Sequence, residues 1–116
     1  MKAWNVSLLL FCFWLTGLTA CSPRPQYDWG TYNDSIHGLY VSPENYILDE
    51  DIERLASEME KTEPGKVPPG KAAHLGFLYT TKGLKEEARR YFELEKSLFP
   101  ESTVLMNRLI HQSAKK

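Results

Sequence analysis

Between Thr62 and Gly70 the chain reads Thr-Glu-Pro-Gly-Lys-Val-Pro-Pro-Gly, and three prolines with two glycines in nine residues stop any helix from running through. Pro43 and Pro100 break the chain again on either side. In the segments between these breaks apolar residues recur at spacings of three and four, which predicts an all-α fold of about five short helices. Ile36, Leu39 and Tyr40 place the first at about 31–40. Ser42 and Pro43 read as the N-cap and first residue of a second. Its buried stripe is Leu48, Ile52, Leu55 and Met59, with Asp49, Glu50, Asp51, Glu53, Glu58 and Glu60 on an acidic outer face. Carboxylates interrupted by Arg54 and Lys61 along a helix read as a solvated face and not as an acid–base pair.

The spacing predicts two further helices over 70–82 and 84–98, packed antiparallel, with Gly83 free to take the left-handed conformation between them. Gly76 lets the second of these approach closely, Ala88 is its small complement, and Tyr79 and Phe92 fill the space between. Glu86 and Arg90 form an i,i+4 pair, and Lys96 lies near the helix's negative end. Pro100-Glu101-Ser102 restarts a last helix whose apolar side is Leu105, Met106, Leu109 and Ile110, before a polar stretch from His111.

Six of these places agree with a known pattern. Leu75-Gly76, Tyr79, Gly83, Ala88, Phe92 and Pro100 resemble a tetratricopeptide repeat over 69–102, with Ala72 where Trp is usual and Glu95 where a small apolar residue is usual. Glu95 therefore predicts a helix left partly uncovered. The resemblance implies a short tetratricopeptide-like stack of helical hairpins, with the upstream pair as a degenerate cap.

The amino terminus carries an address. Lys2 precedes the apolar run Val6–Leu15, about ten residues where a bilayer span needs about 20, which predicts a cleaved signal peptide over 1–20. Leu18-Thr19-Ala20-Cys21 resembles the bacterial lipobox. That resemblance implies palmitate-type acylation of Cys21, a Gram-negative lipoprotein, and, with Ser22 in place of a retention Asp, sorting to the outer membrane. Each buried methylene contributes about 0.8 kcal/mol, so two or three chains hold firmly where one does not. Cys12 leaves with the leader, so the mature chain has one cysteine and no disulfide. Residues 21–29 form the lipidated end and an extended spacer around Pro23 and Pro25, 30–113 the helical domain, and 114–116 a tail.

The run from Tyr27 to Ile110, with its Tyr-Asp-Trp-Gly-Thr-Tyr opening, Val-Pro-Pro-Gly loop and Leu-Gly-Phe-Leu-Tyr helix, is similar to a family of small bacterial lipoproteins catalogued as a domain of unknown function. The resemblance implies neighbours similar to the curli-secretion channel lipoprotein, and hence an accessory role in an envelope assembly.

Charge and motifs narrow the function. Fourteen Lys and Arg against 15 Asp and Glu leave no basic surface for nucleic acid. His37, His74 and His111 lack metal-ligand spacing, and no phosphate-cradling loop or nucleophile elbow is present, which predicts no metal, no cofactor, no small-molecule substrate and no enzyme. Stacked hairpins offer a concave groove, and the repeat positions of Ala73, Phe77, Thr80 and Thr81 place them in it. Arg108 could pair a partner's carboxylate. Trp29, with Tyr27 and Tyr32, either anchors an interface or staples the amino-terminal segment onto the helices. The expectation is an adaptor on the periplasmic face of the outer membrane, binding the membrane through Cys21 and envelope proteins through these residues. The alternative is a structural tether to peptidoglycan through Lys116.

Overall fold

A computed structural model describes residues 24–115, and among them the chain is all-α. Five helices follow one another: α1 (Tyr32–Val41), α2 (Leu48–Lys61), α3 (Lys71–Lys82), α4 (Lys85–Leu98) and α5 (Thr103–Lys115). Three of the four connections contain a 3-10 turn whose first residue is a proline, at Pro43, Pro64 and Pro100. Proline's missing N–H costs nothing in a first turn, so each break becomes a corner. Ser42 makes no side-chain cap, and Pro43 opens this corner rather than α2 itself, which begins five residues later at Leu48. α5 runs through His111 to Lys115 and buries Ser113.

The core is layered. Ile52, Leu55 and Met59 of α2 pack on Ala72, Leu75 and Leu78 of α3, with Val67 from the loop and Tyr91 from α4. A second cluster joins Ala88 and Phe92 of α4 to Met106 of α5, flanked by Leu109 and Ile110. Each large aliphatic here contributes about 1.5–3 kcal/mol by burial. Leu105, expected on the buried side, faces outward with Val104, because Met106 and Ser113 take the inward register of α5.

The α3–α4 hairpin is antiparallel: Glu95 meets the start of α3, Gly76 meets Phe92 and Ala88, and Tyr79 stacks on Tyr91 at 5.4 Å. Gly83 ends α3 at φ +82°, its N–H bonding Thr80 O at 3.0 Å while Leu84 N–H bonds Tyr79 O at 2.9 Å. This double bond satisfies carbonyls that a helix end leaves bare. On the surface, Lys96 pairs with Glu93 at 2.8 Å, Arg90 lies over the Tyr91 ring, and no ion pair links Arg90 to Glu86 among the described residues.

Three carboxylates turn inward, Glu95, Glu58 and Asp51, the last two of them expected on the acidic outer face. Glu95 is buried, and accepts from Gly70 N–H at 2.8 Å and Ala73 N–H at 3.3 Å. α3 starts at a glycine and makes no side-chain cap of its own. The carboxylate comes from α4 and meets the positive end of α3, so Glu95 lies on the covered side of α4 and not on its exposed side. Glu58 receives Thr31 N–H and Oγ1–H and the ammonium of Lys71, at 2.8 Å for the last. Lys71 is buried while Glu58 keeps 25% of its side chain exposed. Burial alone would raise the Glu58 carboxyl; the Lys71 and Thr31 hydrogen bonds outweigh it and hold the group below its usual 4.5. The contribution of this pair is present above about pH 4.5 and is lost as the pH falls below that.

A Cβ on Gly76 would stand 2.7 Å from the Phe92 ring and 3.1 Å from the Ala88 carbonyl oxygen, whereas one on Gly65 would meet nothing within 4 Å. Gly76→Ala therefore lowers the urea midpoint, its overpacking cost of about 1–3 kcal/mol exceeding the gain of about 1 kcal/mol in helix propensity. Gly65→Ala leaves the midpoint unchanged. Glu58→Ala strands a buried ammonium and costs about 3 kcal/mol in the same measurement, most of which the double change Glu58→Leu with Lys71→Met recovers.

Candidate functional site

Two of the concave regions on this frame gather the residues of interest. The first lies where α1, α2 and α3 meet. Leu48, Ile52 and Leu55 set the buried stripe of α2, and Asp51, three residues after Leu48 and four before Leu55, falls on the same face. It is buried, not part of the acidic outer face. Its carboxylate accepts from the Ser35 hydroxyl of α1, from Tyr46 OH at 2.7 Å and from the Arg54 guanidinium. Ser35 Oγ also lies 2.8 Å from His74 Nε2 of α3. The Tyr32 ring covers His74, with ring centroids 5.6 Å apart. Beside the network opens a cleft of about 230 Å³ bordered by Asp34, Asn45, Tyr46, Glu50, Asp51 and Arg54.

Serine, histidine and aspartate thus meet, but in an order that does not make a nucleophile. A carboxylate only accepts, so the single Ser35 proton goes to Asp51, and Oγ must then accept from a proton on His74 Nε2. Activation needs the reverse, an imidazole taking the hydroxyl proton with the carboxylate behind it. Burial pushes the His74 imidazole below its usual 6.5, against the opposing pull of the Asp51 charge. Burial and the bond to Asp51 push the Tyr46 phenol well above its usual 10.0, which fixes it as a donor. The network holds three helices and one linker in register. Among the described residues no three His, Cys, Asp or Glu side chains converge as metal ligands.

The second region is an apolar cleft of about 340 Å³ between α3 and α5, lined by Phe77, Thr80, Phe92, Leu109, Gln112, Ser113 and Lys115. Phe77 and Thr80, chosen by repeat position, come together here. Phe77 is 41% exposed, so it is a surface aromatic rather than core. Thr80 and Thr81 both bond the carbonyl four residues back, and Thr81 turns away from the lining. Ala73 packs inward against the Ala88–Phe92–Met106 cluster. Arg108 is exposed on α5 outside the cleft lining. Trp29 stacks on Tyr32 at 6.0 Å, and Tyr27 meets both Trp29 and Phe99 edge-on at 6.4 Å. With Asp28 N–H bonded to Lys66 O at 2.7 Å, these rings fasten the amino-terminal strap to the helices. Cys21 lies outside the described residues.

Sequence reasoning did not bring together Ser35, Tyr46, Asp51, Arg54 and His74, which lie on three helices and one linker. The one signal was the helical register of Asp51. No helix among the described residues is long and apolar enough to cross a membrane. Comparison with protein families finds a match over residues 26–109 to a family described as a domain of unknown function, DUF4810. No curated protein and no solved structure matches the chain.

The depressed His74 gives a pH dependence of definite sign. Unfolding frees an imidazole that takes a proton near 6.5, while the folded one takes it only at lower pH, so stability is full above about 6.5 and declines below it. The melting temperature should fall between pH 7.5 and 5.5, and His74→Gln should make that fall shallower.

Proposed function

This chain belongs to the DUF4810 family, and from that footing we propose that it is an outer-membrane-anchored periplasmic lipoprotein that recruits or steadies other envelope proteins. The Lys2–Cys21 leader, with its lipobox-like ending, supports the anchoring. The tetratricopeptide-like places Gly76, Tyr79, Gly83, Ala88 and Phe92 support a repeat-type hairpin whose first helix presents residues to a partner. The observation that carries the reading is the α3–α5 cleft with Phe77 at its mouth, an aromatic of a type enriched at interface cores. A lipoprotein similar to the curli-secretion channel component is the partner this proposal favours.

Acyl chains at Cys21 would confine the domain to one leaflet. Partners in that leaflet then meet it at high effective concentration, and a shallow cleft suffices. Binding, rather than turnover, is the role assigned to the cleft.

Crosslinking in intact cells followed by affinity purification tests both parts. Cys21→Ser moves the protein from the membrane fraction to the soluble fraction, and mass spectrometry of the wild type finds acyl groups on Cys21. Phe77→Glu stays in the membrane fraction but loses crosslinked partners by tenfold or more, about 1.4 kcal/mol of binding. Partners retained at wild-type level by both variants overturn the adaptor.

A further inference from the structure

We propose that the outward face of α5 docks the amino-terminal end of a second copy of this chain, so that copies join head to tail. In a hairpin stack a helix face on which nothing packs is normally polar. The outward face of α5 is not. Val104 is 73% and Leu105 is 54% exposed, and Arg108 and Lys115 lie on the same face, four and eleven residues after Val104. At the other end of the described chain Tyr40 and Val41 close α1 and Ile47 precedes α2, each more than half exposed. Exposed Asp34, Glu44 and Glu50 accompany them.

Single apolar residues on a surface need no explanation, but clusters at both ends with opposite prevailing charge do, Glu101 at one end and the Asp51-paired Arg54 at the other being the exceptions. The charges name the occupant. Residues 24–70 carry ten Asp and Glu against four Lys and Arg, and residues 71–116 carry nine Lys and Arg against five Asp and Glu. A two-fold pairing of α5 with α5 would set Arg108 and Lys115 against their own copies. Head-to-tail pairing sets them against Glu44 and Glu50 while Val104 and Leu105 meet Tyr40, Val41 and Ile47. The contact is heterologous, so it leaves a free face at each end and extends into short chains or closes into a ring. It adjoins the Phe77 cleft without using Phe77, and it stands whether or not the cleft binds an envelope protein.

The test places p-benzoylphenylalanine at Leu105 in the full chain, irradiates producing cells, and identifies the attached peptide. The expected product is a ladder of crosslinked copies joined to the 38–50 region of a second chain. An adduct to the α5 peptide of a second copy, to a different protein alone, or to nothing overturns the proposal. In the second arm, Arg108→Glu alone and Glu44→Lys with Glu50→Lys alone each reduce the ladder by about tenfold. Mixing the two variants restores it, because their altered faces complement each other. All three positions are exposed, so the helical circular dichroism is unchanged, and failure of the mixture to restore the ladder overturns the proposal. Phe77→Glu, which tests the adaptor, leaves the ladder intact.

Discussion

The approach of α4 to α3 at Gly76 is the contact on which the other layers depend. With no side chain there, the Phe92 ring lies directly on the α3 backbone, and Ala88 brings its carbonyl within reach of the same spot. That closeness lets Tyr79 stack on Tyr91 and brings Glu95 to the first turn of α3. α3 can then offer its opposite side to Ile52, Leu55 and Met59 of α2. A wider separation would break the cap, the stack and the shared core together, because packed interiors do not deform gradually.

A second constraint is charge inside the fold. Asp51, Glu95 and Lys71 are all buried, and each is matched: Asp51 by two hydroxyls and a guanidinium, Glu95 by two backbone N–H groups, Lys71 by Glu58. None of these arrangements adds much net stability over apolar replacements of equal shape, but each is costly when half is removed. Their effect is to fix register. Ser35 and His74 bind α1 to α2 and α3 through groups that fit only one alignment, which apolar contact alone does not demand. The Ser35 proton is given to Asp51, so the Ser35 hydroxyl is not activated as a nucleophile in this arrangement.

The helices were legible because their punctuation is local. Prolines at 43, 64 and 100 and the glycine at 83 fall at the corners, and the Gly76–Ala88–Phe92 spacing announces a close helical hairpin. The Phe77–Thr80 side of the cleft was legible for the same reason, as both lie on one helix at one spacing. Its other wall, Gln112, Ser113 and Lys115, was hidden because the polar stretch after Ile110 gives no apolar period, yet the helix continues through it. The buried network was hidden for a different reason. Ser35, Asp51 and His74 are each ordinary surface residues in sequence, and only tertiary packing makes them neighbours. Glu95 did signal itself as a departure from the repeat pattern; its meaning, a cap borrowed from the next helix, needed the far end of α3 to be seen.

The strap at the amino terminus sets a length. Asp28 is tied to Lys66, and Thr31 to Glu58, so the domain begins its fixed structure there. Six residues separate Cys21 from Asp28, and even fully stretched they reach about 20–25 Å. If the cysteine is seated in a bilayer, the helices ride just above the headgroups and cannot sweep far into the aqueous space. Such a short radius admits only neighbours that are themselves at the lipid surface or that project down to it, so the spacer sorts companions before any side chain touches them.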